Sequence, residues 1–249
     1  MKKNILFCLI LACCSIQSYA QEDLTEMAYL EQSLCQNRAD DLELGVESGD
    51  FASTKVFSFG QNLESALSLK ISWNYPFREL KKQIRIVASI DKQIRVFSWD
   101  THRGGTWHDL ESYLQYKEGT VVKVKPLHLE EEEYTDVIYY QIDNFEHKKG
   151  RIYLLSGFGT HGAGHHHKIM RAFRKEGDKL VELENVFNGE QYLTIIAPRS
   201  DKIKVAFERK GLIIRFNEFS SVNSVHDGFA QATGKEITYA WNGERFIQF

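Results

Sequence analysis

The 249-residue chain has few cysteines and no excess of positive charge. Three of its four cysteines, Cys8, Cys13 and Cys14, lie within the first fourteen residues, so a chain that loses its first twenty residues keeps Cys35 alone and forms no intramolecular disulfide. The net charge is −3, and removal of residues 1–20 leaves 29 Lys and Arg against 34 Asp and Glu, a net charge of −5. This mildly acidic balance disfavours a nucleic acid partner, because binding to a phosphate backbone needs clustered positive charge.

The chain also lacks the motifs that name common enzyme classes. It has no phosphate-binding glycine loop, no Gly-x-Ser-x-Gly nucleophile elbow and no His-x-x-x-His pair in a helical pattern. After the N-terminal segment, no apolar run approaches the roughly 18 residues of a membrane-spanning helix, so we expect no transmembrane helix in the mature chain. These absences leave open whether the protein is an enzyme.

The first twenty residues have the pattern of an export signal. Lys2 and Lys3 precede a short apolar stretch, and Ser18-Tyr19-Ala20 is a small-x-small cleavage site. We predict a signal peptide over residues 1–20, and therefore a periplasmic, secreted or envelope-anchored protein. Alternatively, residues 10–13 resemble a lipoprotein box, in which cleavage precedes Cys13 and a lipid anchor is attached there.

Residues 21–82 are predicted to form an N-terminal helical segment packed on the main domain. Residues 23–26 have the spacing of a capping box, and Leu24, Met27, Leu30 and Leu34 recur at helical intervals, which predicts a helix from Leu24 to Arg38. Two shorter helices are predicted at residues 62–69 and 76–82.

Residues 83–249 are predicted to form an antiparallel β domain. Alternating side chains flank a turn at residues 91–92, and a similar pattern flanks residues 209–211. Asn242-Gly243, between residues 237–241 and 246–249, is the strongest hairpin signal. Further strands are predicted at residues 121–127, 137–143, 152–156, 169–174, 180–183 and 192–197. The fold class is therefore mainly β, an antiparallel meander of about ten strands arranged as blade-like sheets, a sandwich or a small barrel.

One stretch resembles a known group of proteins. Residues 89–100, SIDKQIRVFSWD, followed by Gly104-Gly105-Thr106, are similar to a stretch found in uncharacterised exported β-rich proteins of Gram-negative bacteria. Weaker similarities occur at residues 151–155 and 241–246. The resemblance implies an exported β-rich protein and supplies no activity or site residues.

The first candidate site is the histidine-rich segment at residues 159–167. On an extended backbone His165 and His167 point to the same face, and the glycines before them allow His161 to fold back and join the pair. Three imidazoles with an open fourth position are typical of a catalytic zinc site. The alternative is a hairpin loop with solvated histidines.

The second candidate site surrounds a glycine turn at residues 100–109. Asp100, His102 and His108 could form a two-histidine, one-carboxylate metal site or an acid–base pair. In the alternative interpretation, the aspartates cap turns and the histidines bond to the backbone.

These features predict an exported bacterial envelope protein that acts as a non-catalytic binding or structural β domain on an unknown envelope or extracellular partner. No cofactor is predicted under this hypothesis. The alternative hypothesis is a metal-dependent hydrolase that uses zinc bound by the segment from His161 to His167.

Overall fold

The structure is a computed structural model that describes residues 23–44, 58–103, 108–129, 134–161, 164–209, 211–220 and 231–249. The predicted signal peptide, residues 1–20 with Cys13, lies outside the described residues. The first helix, α1, covers residues 23–44. It is followed by α2 (Phe59–Ser68) and by two 3-10 helices, Lys70–Asn74 and Leu80–Lys82. None of the described helices has the length and hydropathy needed to cross a membrane.

Thirteen strands in the described residues form three antiparallel sheets that follow one another along the chain. Sheet A contains β1 (Arg85–Ala88), β2 (Ile94–Asp100), β3 (Leu110–Glu118) and β4 (Val121–Pro126). Sheet B contains β5 (Ile138–Phe145), β6 (Ile152–His161), β7 (His165–Glu176), β8 (Lys179–Glu182) and β9 (Leu193–Pro198). Sheet C contains β10 (Val205–Glu208), β11 (Ile213–Ser220), β12 (Gln231–Trp241) and β13 (Phe246–Gln248). The predicted mainly β, antiparallel meander is confirmed.

Sheet B lies between the other two sheets. On β6, Tyr153 and Leu155 belong to a buried cluster shared with sheet A, whereas Ile152 and Leu154 belong to a cluster shared with sheet C. Successive side chains of a strand point to opposite faces, so both faces of β6 are buried. This explains why residues 152–155 are apolar without interruption, while strands with one solvated face alternate.

The helices cover the outer face of sheet A. Met27 and Leu34 of α1 and Leu63 of α2 share a buried cluster with Phe97 and Trp99 of β2. Burial of these apolar side chains, at roughly 25 cal/mol per Å² of apolar surface removed from water, stabilises the packing of the helical segment on the sheet.

The buried stripe of α1 differs from the predicted one. Leu24 is 54% exposed, and the stripe continues past Leu34 to two charged residues, Arg38 and Asp41, which are 3% and 5% exposed. Glu31 on the same stripe is also buried. Glu31 accepts hydrogen bonds from the backbone amides of Glu79 and Leu80, where the second 3-10 helix begins. Asp41 accepts hydrogen bonds from the backbone amides of Ser58 and Phe59, where α2 begins. The helix therefore extends to residue 44, because its charged residues have partners in the elements it packs against.

The sequence interpretation missed strand β3. Its inward positions include Ser112 and Gln115, which are 2% and 0% exposed, so the alternation of apolar and polar residues is broken. Ser112 donates to the backbone oxygen of Val137 at 2.8 Å, and Gln115 Nε2 donates to that of Leu67 at 2.6 Å. These bonds join sheet A to the residue that precedes β5 and to α2, and they compensate for burial of the two polar side chains.

Candidate functional site

The second group of predicted site residues comes together at the end of β2. Asp100 Oδ2 lies 2.5 Å from His108 Nδ1 and 3.9 Å from His102 Nδ1. The other carboxylate oxygen of Asp100 accepts from the backbone amide of His102 at 2.8 Å. A single carboxylate therefore contacts the ring of His108 and the backbone amide of His102.

A second set of charged residues lies beside this one, where β3 begins. Arg103 Nη2 lies 2.7 Å from Asp109 Oδ2 and 2.8 Å from Glu111 Oε1. Thr101 donates through Oγ1 to Asp109 Oδ2 at 2.7 Å, and its backbone amide donates to the carbonyl of Asp109 at 2.8 Å. The ends of β2 and β3 are thus held in register by polar contacts outside the strand ladder.

Between these strand ends and the helices lies a cavity of about 260 Å³, which we call the helix–sheet pocket. The pocket is lined by residues of α1, of α2 and of the β2–β3 region: Arg38, Asp41, Gly60, Gln61, Trp99, Thr101, Arg103, Glu111 and Tyr113. Exposed Gln61 and Arg103 contribute to this lining from the solvent side. The lining is mostly polar although several of its residues are buried.

Arg38 is the most unusual residue of the helix–sheet pocket. Its Nη2 donates to the backbone oxygen of Asp100, but its buried Nε has no hydrogen-bond partner among the described residues. Burial lowers the pKa of Arg38, and the charges of Asp100, Asp41 and Glu111 oppose that shift. Because an unpaired buried donor is costly, a native protein keeps one only for a compensating reason, such as a bound molecule or water.

Gly60 leaves space at the wall of the helix–sheet pocket. A Cβ atom at this position would lie 3.1 Å from Glu111 Oε2, 3.4 Å from Trp99 Cζ2 and 3.6 Å from the hydroxyl oxygen of Tyr113. These three groups therefore converge on the space next to the α2 backbone. Glu111 presents Oε2 to this space, while its Oε1 accepts a hydrogen bond from Arg103 Nη2 at 2.8 Å.

The pKa values of Glu111 and Tyr113 reflect removal from water. Burial raises the pKa of Glu111, and the nearby guanidinium of Arg103 only partly offsets this effect. Burial raises the pKa of Tyr113 to about 12, with a smaller contribution from the charges of Glu64 and Glu111. Perturbed groups in a concave pocket are the usual physical mark of a binding or catalytic site.

The histidine-rich segment forms the hairpin between β6 and β7. His161 pairs with His165 across the hairpin, and His167 pairs with Gly159. Among the described residues, no group of three or more His, Cys, Asp and Glu side chains is arranged to hold a metal ion. The side chain of His161 lies outside the description, so the site formed by His161, His165 and His167 stays a prediction.

His167 has a clear packing role in this hairpin. It is 0% exposed, its Nε2 lies 3.1 Å from the carbonyl oxygen of Tyr134, and its ring stacks edge-on against that tyrosine. The absence of a side chain at Gly159 makes room for it, since a Cβ there would lie 2.4 Å from His167 Cε1. His166 points to the other face, where burial lowers its pKa.

The sequence interpretation found Asp100, His102 and His108 but missed Arg38, Glu111 and the helix–sheet pocket itself. One signal was available: Arg38 and Asp41 continue the three-and-four spacing set by Met27 and Leu34. Charged residues on the apolar stripe of a helix imply buried partners. No sequence pattern indicated that Gly60 lies next to β3, because β3 was not recognised as a strand.

Comparison with known proteins gives no further assignment. No family model matches this chain, and neither the curated proteins nor the solved structures contain a match.

Proposed function

We propose that this chain is an exported bacterial envelope protein that binds a small polar ligand in the helix–sheet pocket and does not transform it. The observation that carries the proposal is the helix–sheet pocket itself, a cavity of about 260 Å³ with a mostly polar lining that includes the nearly fully buried Arg38 and the partly buried Glu111 and Tyr113. A concave pocket on which a few polar groups converge is the usual binding place of a small ligand.

The arrangement of the neighbouring charges supports binding without catalysis. Asp100 is engaged by His108 and by the backbone amide of His102. Asp109 is engaged by Thr101 and by Arg103. Asp109 thereby holds Thr101 and Arg103, which line the pocket, and a preorganised lining lowers the entropic cost of binding.

Export is supported by the sequence of residues 1–20, with their charged start, apolar stretch and small-x-small end. Expression of the full chain in a Gram-negative host, followed by cell fractionation and N-terminal sequencing, tests this part. We expect a mature protein that begins at Gln21, or at a lipidated Cys13 if the lipoprotein interpretation holds. Full-length protein retained in the cytoplasm would contradict export.

Binding is tested with a panel of small metabolites that spans sugars, amino acids, carboxylates and amines, read out by thermal shift and by calorimetry. The matched variants are Gly60→Ala, which places a methyl group 3.1 Å from Glu111 Oε2, and Gly164→Ala, whose Cβ meets nothing within 4 Å. We expect a panel member to stabilise the wild type and Gly164→Ala but not Gly60→Ala, with no change in the ligand after incubation. A panel that stabilises none of the proteins, or stabilises all three equally, would refute the site, and formation of product would refute the non-catalytic role.

A further inference from the structure

The polar groups of the helix–sheet pocket define what a ligand must offer. The guanidinium of Arg38 and the Tyr113 hydroxyl can each donate a hydrogen bond, whereas Glu111 Oε2 accepts one when the carboxyl is ionised. A ligand that satisfies all three must supply acceptors and a donor within a short distance. Hydroxyl groups do both, because each carries one O–H and two lone pairs.

The charges around the pocket disfavour an anion. The guanidinium of Arg38 already faces the carboxylates of Asp41, Asp100 and Glu111. The guanidinium of Arg103 is shared between Asp109 and Glu111. A ligand carboxylate or phosphate would add negative charge to a partly buried site whose positive charges are compensated, and in such a site like-charge repulsion is weakly screened.

A simple cation is disfavoured for a different reason. An ammonium group has donors only, so it could bind Glu111 but would offer no acceptor to the Arg38 guanidinium or the Tyr113 hydroxyl. Burial also raises the pKa of Glu111, so its carboxyl is less readily ionised and attracts a cation less strongly. The donor and acceptor requirements therefore favour a neutral ligand.

The size of the pocket limits the ligand further. Its volume of about 260 Å³ lies just below the range of about 300–1,000 Å³ that holds drug-sized molecules. Cζ2, at the edge of the Trp99 ring, supplies an apolar contact next to the polar groups around Gly60. A single ring that carries hydroxyl groups beside C–H groups matches this mixture of polar and apolar lining.

We propose that the helix–sheet pocket binds one neutral sugar ring, with adjacent hydroxyl groups bonded to Arg38, Glu111 and Tyr113. The proposal rests on the proposed function, because it names the ligand class of the same site. A free sugar and the end of a glycan both present these hydroxyl groups, so either can supply the ring.

The test is calorimetric titration of the mature wild-type protein with four sets of probes: neutral hexoses and pentoses, oligosaccharides that end in the same rings, zwitterionic amino acids, and short carboxylates. We expect binding within the sugar sets alone. Binding of oligosaccharides without monosaccharides would identify a glycan end as the source, and equal binding of both would identify the single ring as sufficient. Either result supports the proposal.

Variants separate hydrogen bonding from general disruption. Tyr113→Phe removes one hydroxyl and should weaken sugar binding about three- to tenfold. Glu111→Gln keeps polar atoms in the same place and should retain binding of a neutral ring within about tenfold, whereas binding that depends on a cation would be lost. Gly60→Ala should abolish binding, and Gly164→Ala should leave it unchanged, because the Cβ contacts of these two glycines differ.

The possible failures are distinguishable. Binding of amino acids or carboxylates but not sugars, lost in Gly60→Ala, would overturn the sugar proposal and leave the binding function standing. Absence of binding by every probe set would overturn both. Sugar binding that persists unchanged in Gly60→Ala and Tyr113→Phe would place the sugar elsewhere and would also overturn the proposal.

Discussion

Replacement of Glu182 by glutamine should strongly destabilise the protein, because Glu182 neutralises a buried arginine. Arg171 is 0% exposed, and its Nε donates to Glu182 Oε1 at 2.7 Å. Lys125 Nζ lies 2.8 Å from Glu182 Oε2, so the carboxylate joins β8 to both β7 and β4. Glutamine has nearly the same shape but no charge, and it would leave the guanidinium of Arg171 buried without its counter-ion.

The expected loss is large for a single substitution. Removal of one partner of a buried ion pair costs about 3–5 kcal/mol. For a chain of this size, about 2–4 °C of melting temperature corresponds to each kcal/mol, so we expect a decrease of roughly 6–20 °C. Urea unfolding at pH 7, followed by circular dichroism, measures the change in the free energy of unfolding.

The pH dependence gives an independent check. Burial alone would raise the pKa of Glu182, but hydrogen bonds and charges from Arg171 and Lys125 outweigh it, so the pKa lies below its ordinary value of 4.5. A lowered pKa in the folded state means that the ionised group stabilises the fold above pH 4.5 and loses this contribution as the pH falls through the folded pKa. The difference between wild type and Glu182→Gln should therefore shrink at acidic pH.

Glu79→Gln is the matched control, because Glu79 forms an ion pair with Lys82 at the surface, where its side chain is 63% exposed. We expect this change to alter stability by no more than about 0.5 kcal/mol. A loss below about 1 kcal/mol for Glu182→Gln, the size of a surface pair, would refute the reasoning. So would a difference from wild type that does not vary with pH.

Two further predictions concern packing and buried hydrogen bonds. Gly159→Ala should lower the free energy of unfolding, measured by chemical denaturation, by at least about 1–3 kcal/mol, because its Cβ would lie 2.4 Å from His167 Cε1. Gly164→Ala is the control and should be nearly neutral, so equal effects of the two substitutions would contradict this packing. Arg95→Met should lower the free energy of unfolding by at least about 2 kcal/mol, because Arg95 donates to the backbone carbonyls of Tyr75 and Ser72 and to the side-chain oxygen of Gln115. Thermal unfolding measures the loss, and an unchanged midpoint would show that these bonds add no stability.

The hairpins could be predicted because their signals are local. The turn at Asp91 and Lys92 joins β1 to β2, and the Asn242-Gly243 dipeptide lies between β12 and β13, both where the sequence predicts them. In each case the turn residues and the flanking strands lie within about twenty residues of one another. Local turn chemistry decides such features without knowledge of the rest of the fold.

The helix–sheet pocket could not be predicted because its parts are distant in sequence. Arg38 on α1, Gly60 on α2 and Glu111 on β3 meet only after the helices pack on sheet A. Recognition of β3 depended on Ser112, whose buried hydroxyl breaks the apolar pattern and donates to the carbonyl of Val137, just before β5. Tertiary partners of this kind leave no periodic signal in the sequence.

The central claim is tested most directly by NMR, with the ¹H–¹⁵N signal of the Arg38 Nε–H group followed during titration with the ligand found in the panel. The signal is assigned by its absence from the spectrum of Arg38→Lys. The account predicts that this signal shifts and saturates together with binding, because the ligand occupies the pocket that Arg38 lines. A signal that stays unchanged at saturating ligand would contradict the assignment of the helix–sheet pocket as the binding site.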